Sequence, residues 1–322
     1  MLEDLARYTF VTDIACGDFH SIALDEDGRL YSWGGGGASY NKGQCGHGDE
    51  KDYEGPKQVE FFDGIQVAKI TAGGFHTMVS TDNHDVFAWG QGVYGECGYG
   101  EFFNVNKPHK VKMPTGGTLL GRTRKDENMA IKYLSAGAHH SLVLTEEGQL
   151  FTFGYGQHGQ LGLRNNLNYN TPHLVKDFLT QPLSAVEAGW HHSLAITKNG
   201  DLYTCGHGDS GQLGLGNTES KTHFTLVESI GDKNIDKICS GGSHSWIILN
   251  EIDPVRSDYR YPDELNDKNP DQLKGNRPRQ EESKIEDLLV ATSDFSNGKN
   301  QDSQDNLPEF PETLSRELIF FT

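Results

Sequence analysis

The sequence has few basic residues and no long apolar run. Lysine and arginine together number 28 against 46 aspartate and glutamate residues, which gives a formal net charge of −18. Because an acidic surface repels phosphate groups, we expect no nucleic-acid partner. No segment approaches the roughly 20 apolar residues that a membrane-spanning helix needs. The first residues, 1–4, carry acid where a secretory signal would carry base. We therefore expect an intracellular protein without membrane contact.

The motifs of common catalytic and cofactor sites are also missing. The five cysteines show no C-x-x-C spacing, which predicts free thiols in a reducing compartment. The glycine run 34–37 lacks the Lys-Ser/Thr of a phosphate-binding loop, so we expect a flexible loop there. No Gly-x-Ser-x-Gly nucleophile motif occurs, and no carboxylate pair stands in an apolar context. The sequence therefore predicts no catalytic residue, no cofactor and no metal site.

Glycine is abundant instead, and much of it belongs to a repeat. The chain has 39 glycines among 322 residues, whereas the usual share is about 7%. Five segments carry Gly-x-x-His followed by an alternating apolar run, which predicts a strand. Successive histidines are 56, 64, 52 and 52 residues apart. The repeated glycines and histidines are Gly17 and His20, Gly73 and His76, Gly137 and His140, Gly189 and His192, and Gly241 and His244.

Each unit continues with two further motifs. A turn leads into a second strand that ends in an aromatic residue and glycine, as in Trp33-Gly34 and Phe153-Gly154. The unit then closes with Gly-Gln-Leu-Gly or a variant, such as residues 159–162. The fifth unit has only its opening strands, from Ile235 to Leu249. Because a unit of about 50 residues cannot bury both faces of its sheet alone, we predict radially stacked units, a β-propeller.

In their order and spacing these motifs resemble the repeat of the regulator-of-chromosome-condensation family. The resemblance covers roughly residues 10 to 250 and implies an all-β propeller of four-stranded blades, usually seven. About five repeats are recognisable here, four full and one partial. A five-bladed ring, an open arc and a part of a longer gene product are the alternatives that this count leaves open. Helix is expected only in the insert near residues 115–130 or in the tail.

The predicted domains are a propeller over residues 1–250 and an acidic tail over residues 251–322. The tail holds 17 acidic and 9 basic residues and is rich in Asp, Asn, Pro, Gln and Ser, which predicts a mostly irregular, disordered segment. Its last residues, 314–322, end in an apolar run with high strand propensity. We expect this run to dock as a strand or short helix, on the unfinished fifth unit or on a partner, through Phe320 and Phe321.

The repeated histidines come one from each unit, so they would surround the propeller axis and could not form one tetrahedral zinc site. We expect them to be structural, for example by holding a turn through a hydrogen bond. The candidate partner-binding residues lie elsewhere, in the basic cluster of the insert and at Trp190. The members of that cluster are Arg122, Arg124 and Lys125. Trp190 stands in a motif that resembles Gly-Trp-Arg-His of a light-sensing plant member, but His191 replaces the arginine, which disfavours light sensing.

The resemblance implies two functions. Broad propeller faces with variable loops suit protein binding, and family members include ciliary, ubiquitin-ligase-associated and kinase-associated proteins. We therefore predict a non-enzymatic scaffold or adaptor in the cytoplasm, with the nucleus or the cilium as alternative compartments. The acidic surface favours basic partners or basic segments. The alternative is guanine-nucleotide exchange on a Ran-like small GTPase, which the founding member performs with a β-wedge; neither a matching wedge nor a basic N-terminal arm is recognised here.

Overall fold

The structure is a computed structural model that describes residues 10–114, 118–119, 122–123, 129–231, 233–250 and 317–321. The chain divides into two compact units. The first contains Met1–Glu251 together with Arg316–Thr322, and the second contains Ile252–Ser315. The second unit, and with it most of the expected tail, lies outside the described residues. The described part of the first unit consists mainly of strands, which confirms the predicted all-β class.

Four successive antiparallel sheets form blades 1 to 4, each with its strands in sequence order. Blade 1 contains β1 (Val11–Cys16), β2 (His20–Asp25), β3 (Leu30–Gly34) and β4 (Tyr53–Gln58). Blade 2 contains β5 (Val67–Ala72), β6 (His76–Thr81), β7 (Val86–Gly90) and β8 (Val105–Lys110). Blade 3 contains β11 (Ile131–Ala136), β12 (His140–Thr145), β13 (Leu150–Gly154) and β14 (Tyr169–Leu174). Blade 4 contains β15 (Leu183–Ala188), β16 (His192–Thr197), β17 (Leu202–Gly206) and β18 (Lys221–Leu226). Each blade therefore forms from contacts that are local in sequence.

Blade 5 takes its third strand from the far end of the chain. It is a sheet of β19 (Ile235–Ser240), β20 (Ser245–Leu249) and β21 (Glu317–Phe321), in that order. Strand β21 runs antiparallel to β20, with Phe320 opposite Trp246 and Phe321 opposite Ser245. The segment for which we expected docking thus occupies the edge where blades 1 to 4 place their own third strand. Between blades 2 and 3, β9 (Thr118–Leu119) and β10 (Arg122–Thr123) form a two-stranded ribbon.

The helical turns lie within the blade connections. The described residues contain one four-residue helix, α1 (Gly37–Tyr40), and two 3-10 turns, Glu60–Phe62 and Lys176–Phe178. The expectation that helix would occur only in the insert or the tail was therefore wrong. The cause is a local reversal of the chain. The Asn41 N–H donates to the Gly37 carbonyl at 2.9 Å and closes one helical turn. The predicted loop over the glycine run 34–37 therefore ends in the first residue of α1. In the described part of the chain, no helix is long and apolar enough to span a membrane.

The hairpin between the second and third strands of each full blade needs one residue with a left-handed backbone. Gly28, Gly148 and Gly200 meet this need with φ angles of 75°, 87° and 94°. Blade 2 has no glycine there, and His84 takes the same conformation with φ 62°. A glycine adopts this region without the steric cost that a Cβ brings.

Consecutive blades pack through their first and second strands, with β1 and β2 against β5, β5 and β6 against β11, and β11 and β12 against β15. Apolar side chains at one repeated position fill these boundaries: Ile70 is 8% exposed, Val186 5% and Ile238 7%. The largest fully buried side chains include Trp89, Phe151 and Phe153, which all lie in third strands. The blade boundaries therefore form the core that fixes the first-strand ends around one centre.

Candidate protein-binding face and central cavity

The five Gly-x-x-His turns are hydrogen-bonded to one another. Within each turn the glycine N–H donates to the histidine carbonyl, at 2.8 to 3.1 Å. Between turns, the Asp18 N–H donates to the Gly74 carbonyl at 3.3 Å and the Gly74 N–H to the Gly137 carbonyl at 3.1 Å. A Cβ on Gly17 or Gly73 would collide with the carbonyl of the next turn and with the histidine of its own turn. Only glycine therefore allows neighbouring turns to approach this closely.

Four of the repeated histidines join neighbouring blades. The Nε2 atom of His20 lies 2.8 Å from the Thr77 hydroxyl of blade 2, and that hydroxyl donates to the Gln44 carbonyl of blade 1 at 2.8 Å. Since the hydroxyl gives its proton to the carbonyl, Nε2 of the histidine is the donor. The same contact, at 2.9 Å, recurs at three further boundaries, in the pairs His76 with Ser141, His140 with Ser193 and His192 with Ser245.

Burial keeps these four histidines neutral. Desolvation lowers the pKa of His20 and His192 to about 4 and that of His76 to about 3, and it places the pKa of His140 well below the ordinary value. Their Nδ1 atoms have no hydrogen-bond partner among the described residues. We infer that these histidines hold blades together and are not ligands. In the described ranges, no group of three metal-ligating side chains lies close enough to hold a metal ion.

One blade boundary carries a buried carboxylate. In three closing motifs the second residue is glutamine, whose side-chain carbonyl accepts a backbone N–H from two residues earlier: Gln44, Gln160 and Gln212. Blade 2 has Glu96 instead, whose Oε2 accepts the Tyr94 N–H at 2.8 Å and whose Oε1 accepts from Gln91 at 3.0 Å. Burial raises the pKa of Glu96 to about 7, because these hydrogen bonds only partly replace water.

A band of nine partly exposed rings forms what we call the ring face. Four of the rings stand immediately before a repeated histidine: Phe19, Phe75, His139 and His191. Five more come from the loops that follow the third strands: Tyr40, Tyr94, Tyr155, His158 and His207. Successive members are in ring contact from Tyr40 at one end to His207 at the other, with centroid separations of 4.4 to 6.4 Å.

The contacts of the ring face are those of packed aromatic surfaces. Phe19 stacks on Tyr40 with centroids 4.4 Å apart, and Phe75 is parallel to His139 at 5.5 Å. Burial also lowers the pKa of His139, and burial together with the neighbouring histidines lowers the pKa of His191 to about 4. Burial therefore favours the neutral form of His139 and His191, in a protein whose formal net charge is −18.

A cavity of about 240 Å³ lies at the centre of the five turns. Its wall consists of the last residues of the first strands and of the turns that follow them. Glu187 of β15 is partly accessible and lines the cavity. Its carboxylate accepts a hydrogen bond from the Ser135 hydroxyl of β11. That hydroxyl in turn accepts the Ala188 N–H at 2.9 Å. Desolvation raises the pKa of Glu187 to about 7. At the mouth, the Trp190 side chain hydrogen bonds to the carboxylate of Asp18.

The structure describes four of the six predicted partner-binding residues, and these four do not all lie on one element. Trp190 is 48% exposed and lines the cavity. Arg122 lies in β10, while Arg124 and Lys125 lie outside the described residues. Phe320 and Phe321 lie in β21, at the edge of blade 5. The described members of this set lie on different elements, and the roles of all of them in partner binding stay predictions.

Sequence reasoning missed the ring face and Glu187. A signal was present, because the residue before the repeated histidine is aromatic or histidine in four of the five units. The histidines are paired at 139–140 and 191–192, and neighbouring residues on a strand point to opposite faces. That alternation sends His140 and His192 into the blade boundaries, and it is also what leaves His139 and His191 on the ring face.

The sequence matches the RCC1-like domain family over residues 2–253. The chain belongs to this family. Against the ultraviolet-B receptor UVR8 of Arabidopsis thaliana it is 31% identical over 238 residues, which cover 74% of this chain and 50% of that protein. Against the human E3 ubiquitin-protein ligase HERC2 it is 32% identical over 248 residues, which cover 76% of this chain and 5% of that protein. This RCC1-like chain thus spans half of the plant relative and a small part of the ligase.

A solved structure gives the same fold. The RCC1-like chain superposes on Prp20p from Saccharomyces cerevisiae with a TM-score of 0.61 and 25% identity, covering 74% of this chain and 55% of Prp20p. The family match and this superposition confirm the predicted resemblance to regulator-of-chromosome-condensation repeats and the predicted propeller.

Proposed function

We propose that this RCC1-like domain is a protein-binding scaffold that holds a segment of its partner on the ring face. One observation carries the proposal: nine partly exposed rings from four blades form a continuous band beside the mouth of the central cavity. Aromatic side chains supply much contact area for little loss of side-chain entropy, and for this reason they dominate the centres of protein interfaces.

Electrostatics favours a basic partner. Carboxylates stand beside two of the rings. Asp209 lies 3.3 Å from the His207 ring, and the buried Glu96, whose pKa is raised to about 7, lies 4.0 Å from the His139 ring. Lysine or arginine side chains gain from carboxylates and from the faces of tyrosine and phenylalanine rings. The formal net charge of −18 would also speed the encounter with a basic segment.

The relatives support protein binding in this broad sense. The structure of Prp20p is described together with its binding properties to Gsp1p and histones, so a protein with this fold binds other proteins. We do not assign the partners of Prp20p to this chain, because a shared fold does not imply a shared function.

Affinity purification of the full chain from its source cells, with quantitative mass spectrometry, tests the proposal. We compare the wild type with the double variant Tyr155→Ala, His158→Ala on the ring face. The matched control is Phe61→Ala, an exposed ring beyond the opposite ends of the strands, in the connection after β4. We expect partners that are retained by the control and lost by the ring-face variant. Partners that both variants retain equally would contradict the ring face as the binding surface.

A second candidate is nucleotide exchange on a small GTPase, since the Prp20p structure is described with binding to Gsp1p. We measure GDP release from a Ran-like GTPase with and without the full chain. The scaffold proposal expects an unchanged rate. A rise of about a hundredfold, which corresponds to roughly 2.7 kcal/mol of barrier lowering, would favour exchange.

A further inference from the structure

We propose that the central cavity receives one cationic side chain of the bound partner, a lysine or an arginine, with Glu187 as its counter-ion and Trp190 as the ring it passes. We call this cavity, with Glu187, Trp190, Asp18, Ser135 and Ser240, the cation socket. The inference rests on the proposed scaffold function and adds to it the chemistry of the residue that is recognised.

The carboxylate of Glu187 is the first argument. A hydrogen bond from the Ser135 hydroxyl favours its charged form, and that hydroxyl is itself held by the Ala188 N–H at 2.9 Å. Lys237 of β19 acts on the carboxylate only through space, and the ion pairs among the described residues do not include Glu187. A raised pKa is what an uncompensated carboxylate shows, and a bound cation would remove that cost.

The mouth of the cavity provides the second argument. Trp190 is 48% exposed, and its side chain hydrogen bonds to the Asp18 carboxylate from the other side of the cavity. The side chain also packs close to Gly242 of the next turn, so its orientation is restricted. An oriented indole ring next to a carboxylate is a favourable surface for a guanidinium or ammonium group, by cation–π contact together with charge attraction.

The size and the remaining polar groups provide the third argument. A volume of about 240 Å³ is sufficient for the end of one long side chain and insufficient for a folded segment. Ser240 lines the same cavity, and its buried hydroxyl has no hydrogen-bond partner among the described residues. A buried hydroxyl without a partner is costly, and an N–H donor of the incoming group would satisfy it.

Two other classes of ligand fit less well. An anion would meet the carboxylates of Glu187 and Asp18, which both line the cavity. A metal ion needs several oxygen, nitrogen or sulfur ligands at short range, and the described side chains form no such group of three. The arrangement of one deep carboxylate, one ring and one hydroxyl matches a single organic cation best.

Small-molecule probes test the cation socket without knowledge of the partner. We titrate the full chain with n-butylguanidinium and with n-butylammonium, and use butan-1-ol as the neutral probe of similar length. Binding is followed by ligand-observed NMR and by the fluorescence of Trp190, isolated as the difference from Trp190→Phe. We expect both cations to bind with dissociation constants on the order of 1–10 mM, and butan-1-ol to bind at least about tenfold more weakly.

Variants assign the binding to the cavity. Glu187→Gln keeps the size of the side chain and its hydrogen bond to Ser135, and it should weaken both cations by about tenfold or more. Glu146→Gln removes an equivalent charge from an exposed hairpin turn and should leave binding unchanged. Circular dichroism and the thermal midpoint check that each variant is folded. Because Glu187→Gln is nearly isosteric, we expect its fold to be retained.

The outcomes separate this inference from the scaffold proposal. If the cations bind no better than butan-1-ol, or if Glu187→Gln and Glu146→Gln behave alike, the cavity holds water only and the cation socket is wrong. The scaffold proposal would still stand in that case, because the ring-face variants decide it. If the cations bind in the socket but the ring-face variants retain every partner, the site exists and the scaffold proposal fails.

Discussion

We call the side of a blade that faces the preceding blade its front. The front of blade 1 and the fronts of the later blades carry apolar residues at the same repeat positions, but these residues differ in burial. Val11 is 39% exposed and Ile14 60%, whereas their equivalents in blade 2, Val67 and Ile70, are 3% and 8% exposed. Among the described residues, no blade covers the front of blade 1. The difference teaches that these apolar positions belong to blade boundaries and contribute to stability only where a preceding blade packs on them.

The same contrast holds for the polar contacts. The hydroxyls of Thr77 and Ser141 each accept a hydrogen bond from a histidine Nε2 of the preceding blade. Ser21, at the same position of blade 1, lies against the Cys16 Sγ of its own blade at 3.7 Å. A repeat therefore contains both halves of an inter-blade contact, and each half is used only when a neighbour supplies the other.

The largest effect should come from removing apolar side chains at the two fronts. We expect Ile70→Ala to lower the free energy of unfolding by about 2–4 kcal/mol, because it leaves a cavity at a closed boundary. Ile14→Ala should cost less than about 1 kcal/mol, since the side chain is mainly in water. Urea denaturation of both variants measures the difference. Equal losses would show that the front of blade 1 is covered in solution.

The hydroxyl position should give a smaller difference of the same kind. Ser141→Ala leaves the His76 Nε2–H and the Glu96 carbonyl without their buried partner, and should cost about 1–3 kcal/mol. Ser21→Ala is the matched control, with an expected change within about 0.5 kcal/mol. Chemical denaturation at pH 7.5 measures both changes. A similar loss in the control would mean that the histidine contact contributes little.

The buried carboxylate of Glu96 should make the free energy of unfolding depend on pH. The pKa of Glu96 in the folded protein is raised to about 7 from 4.5, so the folded state binds the proton more tightly, and stability is lost as pH rises between these values. We expect Glu96→Gln to raise the free energy of unfolding by about 1–2 kcal/mol at pH 8 and to leave it nearly unchanged at pH 4.5. Thermal denaturation of variant and wild type at both pH values measures this. A gain that does not depend on pH would refute the assignment.

The smallest effect concerns the hairpin turn of blade 2. His84 is exposed and has φ 62°, so His84→Gly should stabilise the chain by up to about 1 kcal/mol, reduced by the greater freedom of glycine in the unfolded chain. The reverse change, Gly200→His, enters open space at φ 94° and should destabilise by a similar amount. Thermal midpoints of the two variants, one above and one below the wild type, are the expected result.

Much of the fold was predictable because the signals are local. The Gly-x-x-His turn, the hairpin and the aromatic-glycine strand end each depend on residues close in sequence, and they recur five, four and three times with nearly constant spacing. The position of β21 was only an expectation, since pairing over such a distance depends on which strand edge is free. The helical turn at Gly37–Tyr40 was missed because four residues carry no periodic pattern.

The sequence by itself determined the repeat, the strands within each blade and the need for glycine at the turns, because backbone conformation and strand pairing within a blade are local properties. Only the tertiary structure decided which side chains meet. Consecutive blades place the same repeat position side by side. For this reason His139 and His191 become neighbours, with ring centroids 6.0 Å apart. Ser135 and Glu187 likewise come together from consecutive blades and form a hydrogen bond. Burial likewise follows from the neighbouring blade, and so Ile14 and Ile70 share a position in the repeat but differ in exposure.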